Sequence, residues 1–335
     1  MIPHAAAPWH ISPWQQELAN AVRDPRELFA LLDLDPADLE PALSACSDFP
    51  LRVPRPYLAR MRRGDPADPL LLQVLPNGRE LLTLPGYERD PLSELAANPV
   101  PGLVHKYAGR ALLIVSPTCA VNCRYCFRRH FPYGDNKPSR EQWQHALDYI
   151  AADSSISEVI YSGGDPLAAN DRHLLWLTQQ IAAISHVHRL RVHTRLPVVI
   201  PSRIDDDCLH WLTATRLQSV VVLHINHPNE LDAQVHQAVS ALRRANILVL
   251  NQSVLLAGVN ASADVLIRLS EMLFAAGILP YYLHLLDPIQ GAAHFATPIA
   301  VARKLLGTLR TSLPGYLVPR VVSEKSGEPS KVHLF

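Results

Sequence analysis

Residues 111–126 read ALLIVSPTCAVNCRYC, an apolar run followed at once by three cysteines within eight residues. An apolar run of about four to eight residues, rich in Leu, Ile and Val, is typical of a strand buried on both faces of a parallel sheet. The chemistry of α/β barrels lies at the carboxyl ends of such strands. The stretch therefore predicts the class of fold and also the place of a site.

Similar runs recur along the rest of the chain. They predict strands over residues 111–116, 158–161, 190–194, 219–223, 247–252 and 279–283. Amphipathic stretches predict helices over residues 139–152, 170–185, 205–213, 230–245, 262–276 and about 297–311. Repeated strand–helix units form either a doubly wound sheet or a barrel. Because the six units seen here are two short of a closed eightfold barrel, we expect an open, partial (β/α)6 barrel of the α/β class.

The first hundred residues differ in composition, being rich in Pro, Arg, Asp and Leu. Arg-Asp-Pro at 23–25 and Leu-Asp-Pro at 34–36 predict helix starts, with aspartate as the cap and proline in the first turn. Nothing in this region indicates a particular chemistry. We expect a mostly helical extension over residues 1–100, a barrel over residues 101–315 and a short tail over residues 316–335.

Charge and composition exclude several classes of protein. Lys and Arg number 31 and so do Asp and Glu, whereas a nucleic-acid-binding protein usually shows a basic excess. No apolar run is long enough for a membrane span, and residues 1–14 lack the pattern of a signal peptide. We therefore expect a cytoplasmic protein that binds neither nucleic acid nor membrane. A net charge of zero also removes one barrier to forming a homo-oligomer.

The cysteine motif has the form C-x3-C-x2-C, and its members are Cys119, Cys123 and Cys126. Three thiolates can hold three irons of a [4Fe–4S] cluster, which leaves the fourth iron open to S-adenosylmethionine (SAM). The alternative is a structural zinc site, which needs four closed ligands. His130 could be the fourth, but the next cysteine, Cys208, is distant, so the motif favours the cluster. Cys46 and Cys208 are expected to be buried thiols.

With further segments, this motif resembles the lysine 2,3-aminomutase family of radical SAM enzymes. The resemblance spans about residues 90–331 and is carried by Cys119–Arg129, Tyr161–Leu167, His193–Arg195, Asn226–Glu230, Asn251–Asn260 and Tyr281–Asp287, with Gly291, His294 and Phe295. The ending Gly327–Lys331 is most similar to the subgroup that makes (R)-β-lysine for the modification of bacterial elongation factor P.

The resemblance implies a second cofactor, pyridoxal 5′-phosphate (PLP), which needs a lysine. The chain has five lysines, Lys106, Lys137, Lys304, Lys325 and Lys331. Lys331 matches the family's PLP lysine, although Ser-Gly-Glu-Pro-Ser precedes it in place of the usual glycine run. Lys325 is the second choice, and the alternative for Lys331 is a solvated residue near a frayed end. Lys304 is expected to be solvated, and Lys106 to lie on the bottom side, before the first barrel strand.

The resemblance also implies residues that bind the two organic cofactors. The PLP phosphate would be bound by Tyr107 and Arg110, unless Arg110 is only a surface residue. The absence of side chains at Gly163 and Gly164 would let the backbone approach SAM. Asp165 would contact the SAM amino group or cap the next helix. The same cavity would be lined by Arg195, His224 and Gln252, each of which could instead be a satisfied interior polar group.

Substrate recognition follows from charge. Arg128 matches the family's carboxylate-binding arginine, and its alternative is packing beside the cluster. Asp287 and Glu324 match the acidic partners of the distal ammonium of lysine, with Glu324 one methylene longer than the family's aspartate. Asp287 could otherwise only start a turn. Two carboxylates around one ammonium suit a diamino acid.

The function implied is that of an isomerase, a radical SAM and PLP-dependent 2,3-aminomutase that converts L-lysine to (R)-β-lysine. A 5′-deoxyadenosyl radical would remove hydrogen from C3, nitrogen would move from C2 to C3, and hydrogen would return to C2. The implied partners are L-lysine, the pathway that attaches lysine to elongation factor P, and a reductant such as flavodoxin. The alternatives are an aminomutase of another amino acid and a non-catalytic Fe–S protein that binds the translation machinery.

Overall fold

Nine strands form one sheet in chain order in the computed structural model, which describes residues 12–94, 96–134 and 139–335. The strands are β1 Leu103–Tyr107, β2 Arg110–Ser116, β3 Glu158–Gly163, β4 Arg189–Thr194, β5 Gln218–His224, β6 Leu248–Val254, β7 Leu279–His284, β8 Arg320–Ser323 and β9 Val332–His333. Strands β2 to β8 are parallel, while β1 and β9 pair antiparallel with the two edges.

Helices connect the parallel strands and precede the sheet. They are α1 Pro13–Ala19, α2 Pro25–Leu32, α3 Leu39–Cys46, α4 Arg55–Leu58, α5 Arg140–Ala152, α6 Asp171–Ala183, α7 Leu196–Val199, α8 Asp206–Thr213, α9 Ala233–Arg244, α10 Ala263–Ala275 and α11 Ile299–Ser312. Side-chain caps start α6, α8 and α9, where Asn170, Asp205 and Asp232 accept bonds from backbone N–H groups of the first turn.

The predicted partial barrel is confirmed. Each predicted strand overlaps one of β2 to β7, and each predicted helix overlaps α5, α6, α8, α9, α10 or α11. The sheet does not end at the sixth strand, however, because β8 from the tail continues it in parallel beside β7. Of the four residues of β8, Val321 and Val322 are apolar and buried and the end residues are polar, so the sequence has no apolar run that predicts this strand.

The extension is helical only in its first part. Asp24 caps α2 as predicted, whereas Asp35 caps a short 3-10 turn, and most of residues 60–102 run as turns. Trp14 and Leu70 of the extension share one hydrophobic core with Val192 and Trp211 of the barrel. The extension is therefore packed into the barrel.

The tail is held by a hairpin and does not fray. Ser323 lies opposite Val332 and Val322 opposite His333, and the Leu334 N–H donates to Val321. This register places Glu324 opposite Lys331. No helix in the described ranges is long and apolar enough to cross a membrane. The predicted lack of a signal peptide concerns residues 1–14, most of which lie outside those ranges.

One buried carboxylate of the extension anchors the cysteine loop, which we define as residues 117–134. Glu80 accepts two bonds from Arg124, at 2.9 Å from Nε and 2.5 Å from Nη2, and a third at 2.8 Å from Arg129. All three side chains are almost fully buried. Because a buried charge without a partner is strongly destabilising, the loop depends on this contact.

We expect Glu80→Gln to lower the free energy of unfolding by about 3–5 kcal/mol, because it leaves two buried arginines uncompensated. The matched control is Glu27→Gln, which breaks an exposed ion pair with Arg55 and should cost less than about 1 kcal/mol. Urea unfolding of the cofactor-free protein measures both. Equal losses in the two variants would contradict the anchoring role of Glu80.

Candidate active site

A cavity of about 710 Å³ runs through the interior of the partial barrel. It extends from Arg110 and Glu158, at the starts of their strands, to the cysteine loop beyond the strand ends. The structure brings every site residue that the sequence predicts to the wall of this one cavity: Tyr107, Arg110, Cys119, Cys123, Cys126, Arg128, Gly163, Gly164, Asp165, Arg195, His224, Gln252, Asp287, Glu324 and Lys331. The volume is typical of ligand sites.

The three cysteines lie together on the cavity wall as free thiols. Burial, followed by the charges of neighbouring Cys126, Asp165 and Cys123, raises the pKa of Cys119 well above its usual value. Burial and Cys123 raise the pKa of Cys126 to about 12. Thiols in this state become thiolates when a metal replaces the protons.

The arrangement of the three thiols fits a cluster in which each cysteine binds a different iron atom. Across the residues described, no group of three or more His, Cys, Asp or Glu side chains converges so as to hold a single metal ion. A cubane cluster binds its three cysteines through three different irons, so its ligands need not meet at one point. His130, considered above as a zinc ligand, has its Nε2 3.2 Å from the carbonyl oxygen of Gln290.

Gly163, the last residue of β3, and Gly164 allow close packing against the end of β2 and the start of the cysteine loop. A Cβ on Gly163, whose φ is +123°, would lie 2.5 Å from the carbonyl oxygen of Ser116 in β2. A Cβ on Gly164 would lie 2.8 Å from the Thr118 backbone in the loop. The structural requirement for glycine here is therefore contact with β2 and with the loop that follows it, and the predicted approach of SAM adds to it.

Asp165 is fully engaged with protein donors. Its carboxylate accepts bonds from the Leu167 N–H at 3.0 Å, the Thr194 hydroxyl at 2.7 Å, and the Arg195 and Leu196 N–H groups at 2.8 and 3.0 Å. The capping alternative is confirmed, since Asp165 caps the 3-10 helix Pro166–Ala168. This carboxylate links the ends of β3 and β4 beside the cysteine loop.

Arg195 is the centre of a buried polar network. It donates to Cys123 Sγ and the Tyr125 hydroxyl at 2.8 Å each, and to Glu230 at 2.9 Å. Tyr57 and Gln73, both from the extension, accept further bonds from Nη2 at 3.0 and 2.7 Å. The extension therefore supplies polar groups to the site, which the sequence analysis did not predict.

His224 ends β5 and stacks on Tyr125. Its Nε2 lies 2.9 Å from the Tyr125 hydroxyl and 3.3 Å from the Asn226 amide nitrogen. Burial and the nearby Arg195 charge lower the pKa of His224 to about 3, so the ring is neutral near pH 7.

Two further histidines of the wall, His193 and His284, were not among the predicted binding residues. Burial lowers the pKa of His193 well below its usual value and that of His284 to about 3. Within the described part of the chain, neither Nε2 has a hydrogen-bond partner. Buried polar atoms are normally satisfied, so these two fit a site that an organic cofactor fills.

Arg128 is paired with a carboxylate that the sequence analysis missed. Glu94 of the extension accepts from Nε at 2.6 Å and from Nη2 at 2.8 Å, while Nη1 donates to the Ser162 hydroxyl at 2.9 Å. The Arg128 side chain is 7% exposed and that of Glu94 is 5% exposed. The arginine lies on the cavity wall as predicted, but one side of its guanidinium is already occupied.

Two lysines share Glu324 in the cavity. The ammonium of Lys331 lies 2.5 Å from Oε2 and that of Lys106 3.0 Å from Oε1. Burial opposes ionisation, but the two ammonium groups outweigh it and lower the pKa of Glu324 well below its usual value. Lys106 also approaches Glu94 at 3.4 Å. Lys106 precedes the first barrel strand, as predicted, and its side chain reaches the cavity wall from β1.

The other lysines lie apart from this cavity or outside the described residues. Lys325 and Lys304 are exposed, as was expected for Lys304. Lys137, expected past the cysteine loop, lies outside the described residues. Of the lysines that the structure describes, Lys106 and Lys331 are those on the cavity wall.

Tyr107 and Arg110 form a corner at the start of the sheet. The Arg110 guanidinium lies 4.7 Å from the centre of the Tyr107 ring, and the two residues pair across the β1–β2 hairpin. Burial, followed by the charge of Glu324, raises the pKa of Tyr107, which keeps its hydroxyl protonated. A protonated hydroxyl beside a guanidinium can donate to an anion.

Asp287 follows β7 and faces the same charges. Burial, followed by the carboxylate of Glu324, raises its pKa to about 7, while Lys331 and Lys106 oppose the rise. The group therefore changes its charge close to neutral pH. An additional ammonium group in the cavity would favour its ionised form.

The chain matches a family model and several named relatives. The family model of the radical SAM superfamily matches residues 113–269. The chain is 51% identical to a Haemophilus influenzae protein named L-lysine 2,3-aminomutase, over 95% of this chain and 94% of that protein. An Escherichia coli protein of the same name is also 51% identical, over 96% of this chain and 94% of that protein. Among solved structures, anSMEcpe with bound AdoMet has a TM-score of 0.46 at 14% identity, over 59% of this chain and 57% of that chain.

We expect Gly163→Ala to destabilise the protein by about 1–3 kcal/mol and to reduce iron incorporation, because the new methyl group would displace the end of β2, from which the cysteine loop continues. Gly315→Ala is the matched control, since a Cβ there meets no atom within 4 Å. Thermal melting and iron content after anaerobic reconstitution measure the two effects. Normal iron content in Gly163→Ala would show that the close contact is dispensable.

We expect Asp287→Asn to gain stability relative to the wild type as pH rises. A carboxyl group with a folded-state pKa of about 7 stabilises the fold while protonated, and that contribution is lost as pH rises through 7. The amide does not titrate, so the advantage of the variant should grow from about pH 4 to about pH 7 and then level off. Melting temperatures of the cofactor-free proteins measure it, and an advantage that shrinks with pH would contradict the assignment.

Proposed function

This chain belongs to the L-lysine 2,3-aminomutase family of radical SAM enzymes, and we propose that it is an isomerase that moves the α-amino group of L-lysine to C3. The observation that carries the proposal is that the tail hairpin brings Lys331 into the same cavity as the three cysteines. A cluster ligand set and a lysine amine on the wall of one cavity would supply the two cofactor sites that this reaction uses.

The cofactors follow from the residues present. We propose that Cys119, Cys123 and Cys126 hold the [4Fe–4S] cluster, with SAM against the cluster, the glycines after β3, Arg195 and His224. PLP would lie deeper, bonded to Lys331, with its phosphate at Tyr107 and Arg110 and Gln252 on the wall beside it. When bound, the cluster and SAM supply a hydrogen-abstracting radical, and PLP carries the migrating nitrogen.

The charges of the wall support an amino acid with a second ammonium group. Arg128, a guanidinium on the cavity wall, would bind the carboxylate of the substrate. Asp287 and Glu324 would bind the distal ammonium. In the cofactor-free protein Glu324 holds the Lys331 ammonium, which is chemically the same group as the side-chain end of lysine. A substrate with a distal carboxylate would meet two like charges.

The neutral histidines have a supporting role in this proposal. With lowered pKa values, His193, His224 and His284 stay uncharged near neutral pH. They can therefore line the cavity without adding charge to the ion pairs around Lys331. A closed, water-poor interior also protects a radical from side reactions.

The proposal extends to the configuration of the product, to its use and to the electron donor. We propose that the product is (R)-β-lysine, that it serves the modification of elongation factor P, and that a one-electron donor such as flavodoxin reduces the cluster. The resemblance of the tail supports the configuration and the use. Assembly into a homo-oligomer stays a prediction from the net charge.

The deciding assay incubates the reduced, reconstituted protein with SAM, PLP and L-lysine without oxygen. Chiral derivatisation and mass spectrometry should then show (R)-β-lysine, whose formation is lost when any of Cys119, Cys123 or Cys126 is replaced by alanine. Release of 5′-deoxyadenosine without β-lysine would reject lysine as substrate and leave an aminomutase of another amino acid. No cleavage of SAM at all would favour a non-catalytic Fe–S protein.

We expect Lys331→Arg to abolish β-lysine formation and the visible absorbance of lysine-bound PLP, because a guanidinium keeps the ion pair with Glu324 but cannot form the imine. Lys325→Ala, at an exposed position of the same tail, is the matched control and should keep both. Absorbance is measured after the free cofactor is removed. Retained PLP absorbance in Lys331→Arg would reassign the PLP lysine, with Lys106 the next candidate on the wall.

A further inference from the structure

Glu94 is a buried acidic residue of the extension that borders the substrate site without belonging to the barrel. Both of its carboxylate oxygens face Arg128, and Oε1 also lies 3.4 Å from the Lys106 ammonium. Burial alone would raise its pKa, but Arg128 and then Lys106 outweigh burial and keep the pKa below its usual value. The residue is therefore a permanent anion against the guanidinium.

Most of the N–H donors of Arg128 already have a protein acceptor. A guanidinium has five N–H groups. Glu94 takes the Nε hydrogen and one Nη2 hydrogen, and Ser162 takes one Nη1 hydrogen. Nη1 also makes a long contact of 3.4 Å with the carbonyl oxygen of Gly163. One hydrogen on Nη2 and one on Nη1 therefore remain without a short hydrogen bond, and these two nitrogens form the end-on pair of the guanidinium.

We propose that Glu94 is a positioning residue for substrate binding: it holds Arg128 by one side so that the end-on pair of the guanidinium receives the α-carboxylate of the substrate. This inference rests on the proposed function, and it adds to it a residue from outside the barrel. An end-on pair of parallel N–H donors matches the two oxygens of a carboxylate.

The rigidity of the arrangement comes from the geometry of the ion pair. A long, flexible arginine side chain loses rotamer freedom when it is fixed, and that loss weakens binding if it must occur with the substrate. The bidentate contact with Glu94 and the bond to Ser162 fix the guanidinium plane in advance. Lys106 approaches Oε1 of Glu94, the oxygen that also accepts from Nη2 of Arg128, and so adds a second positive charge beside the carboxylate.

The test compares L-lysine with cadaverine, which has both amino groups of lysine but no carboxylate. In the holoenzyme, Glu94→Gln should raise the KM for L-lysine about tenfold or more, with kcat changed far less, because one charged side-on contact is lost. Inhibition by cadaverine should be unchanged, since that molecule does not use Arg128. Glu94→Asp, which keeps the charge, should recover part of the lost affinity.

The control is Asp171→Asn, which removes the carboxylate partner of buried Arg203 away from the cavity. It should lower the melting temperature without changing either KM or cadaverine inhibition. If Glu94→Gln does not fold, the comparison is made with Glu94→Asp, which should raise the KM for lysine to a smaller extent and leave cadaverine inhibition unchanged.

Four results would overturn the inference. A lower KM for lysine in Glu94→Gln would show that Glu94 competes with the substrate carboxylate, and an unchanged KM would show that it does not act on the site. An equal loss for lysine and cadaverine would show a general structural role. If the wild type makes no β-lysine, calorimetry with the same two ligands distinguishes a failure of this inference from a failure of the proposed function. Wild-type protein that binds lysine no more tightly than cadaverine would overturn this inference. Tighter binding of lysine would overturn only the proposed aminomutase reaction.

Discussion

Charges of alternating sign connect the three parts of the molecule through its interior. Arg128 of the cysteine loop, Glu94 of the extension, Lys106 of β1, and Glu324 and Lys331 of the tail follow one another at ion-pair distance. Each of these groups is largely buried, so each depends on the next for compensation. The loop, the first strand and the tail consequently hold a fixed arrangement around the cavity, and the chemistry of the site depends on it.

The barrel could be predicted because each of its elements has a local signal. Apolar runs identify β2 to β7, and side-chain caps such as Asp205 and Asp232 mark where helices begin. The strand β8 has no such signal, since only two of its four residues are apolar and they are adjacent, which shows neither an apolar run nor an alternation. The aspartate–proline pairs of the extension predict where helices start. They do not indicate that the segment after those helices runs as turns.

The cysteines were predicted from a motif and Lys331 from the family resemblance, whereas the carboxylates Glu80 and Glu94 were not predicted. Glu80 lies 44 residues before Arg124 and Glu94 lies 34 residues before Arg128, so no local pattern joins them. One signal was present but unused. Arg191 and His193 alternate with apolar residues in β4, as inward-facing groups of a barrel must, and this alternation indicates a polar interior.

The tail hairpin contains a turn whose sequence can vary and a strand pairing whose register cannot. Residues 325–330 form an exposed turn, so their number and kind are nearly free, and the sequence Ser-Gly-Glu-Pro-Ser can replace a run of glycines there. The register that pairs Ser323 with Val332 cannot shift, because a slip of one residue would turn the side chains of the strand, and with them Lys331, to the opposite face. Among diverging sequences, the turn should therefore accumulate insertions and deletions freely, while the spacing from Lys331 to its following strand stays constant.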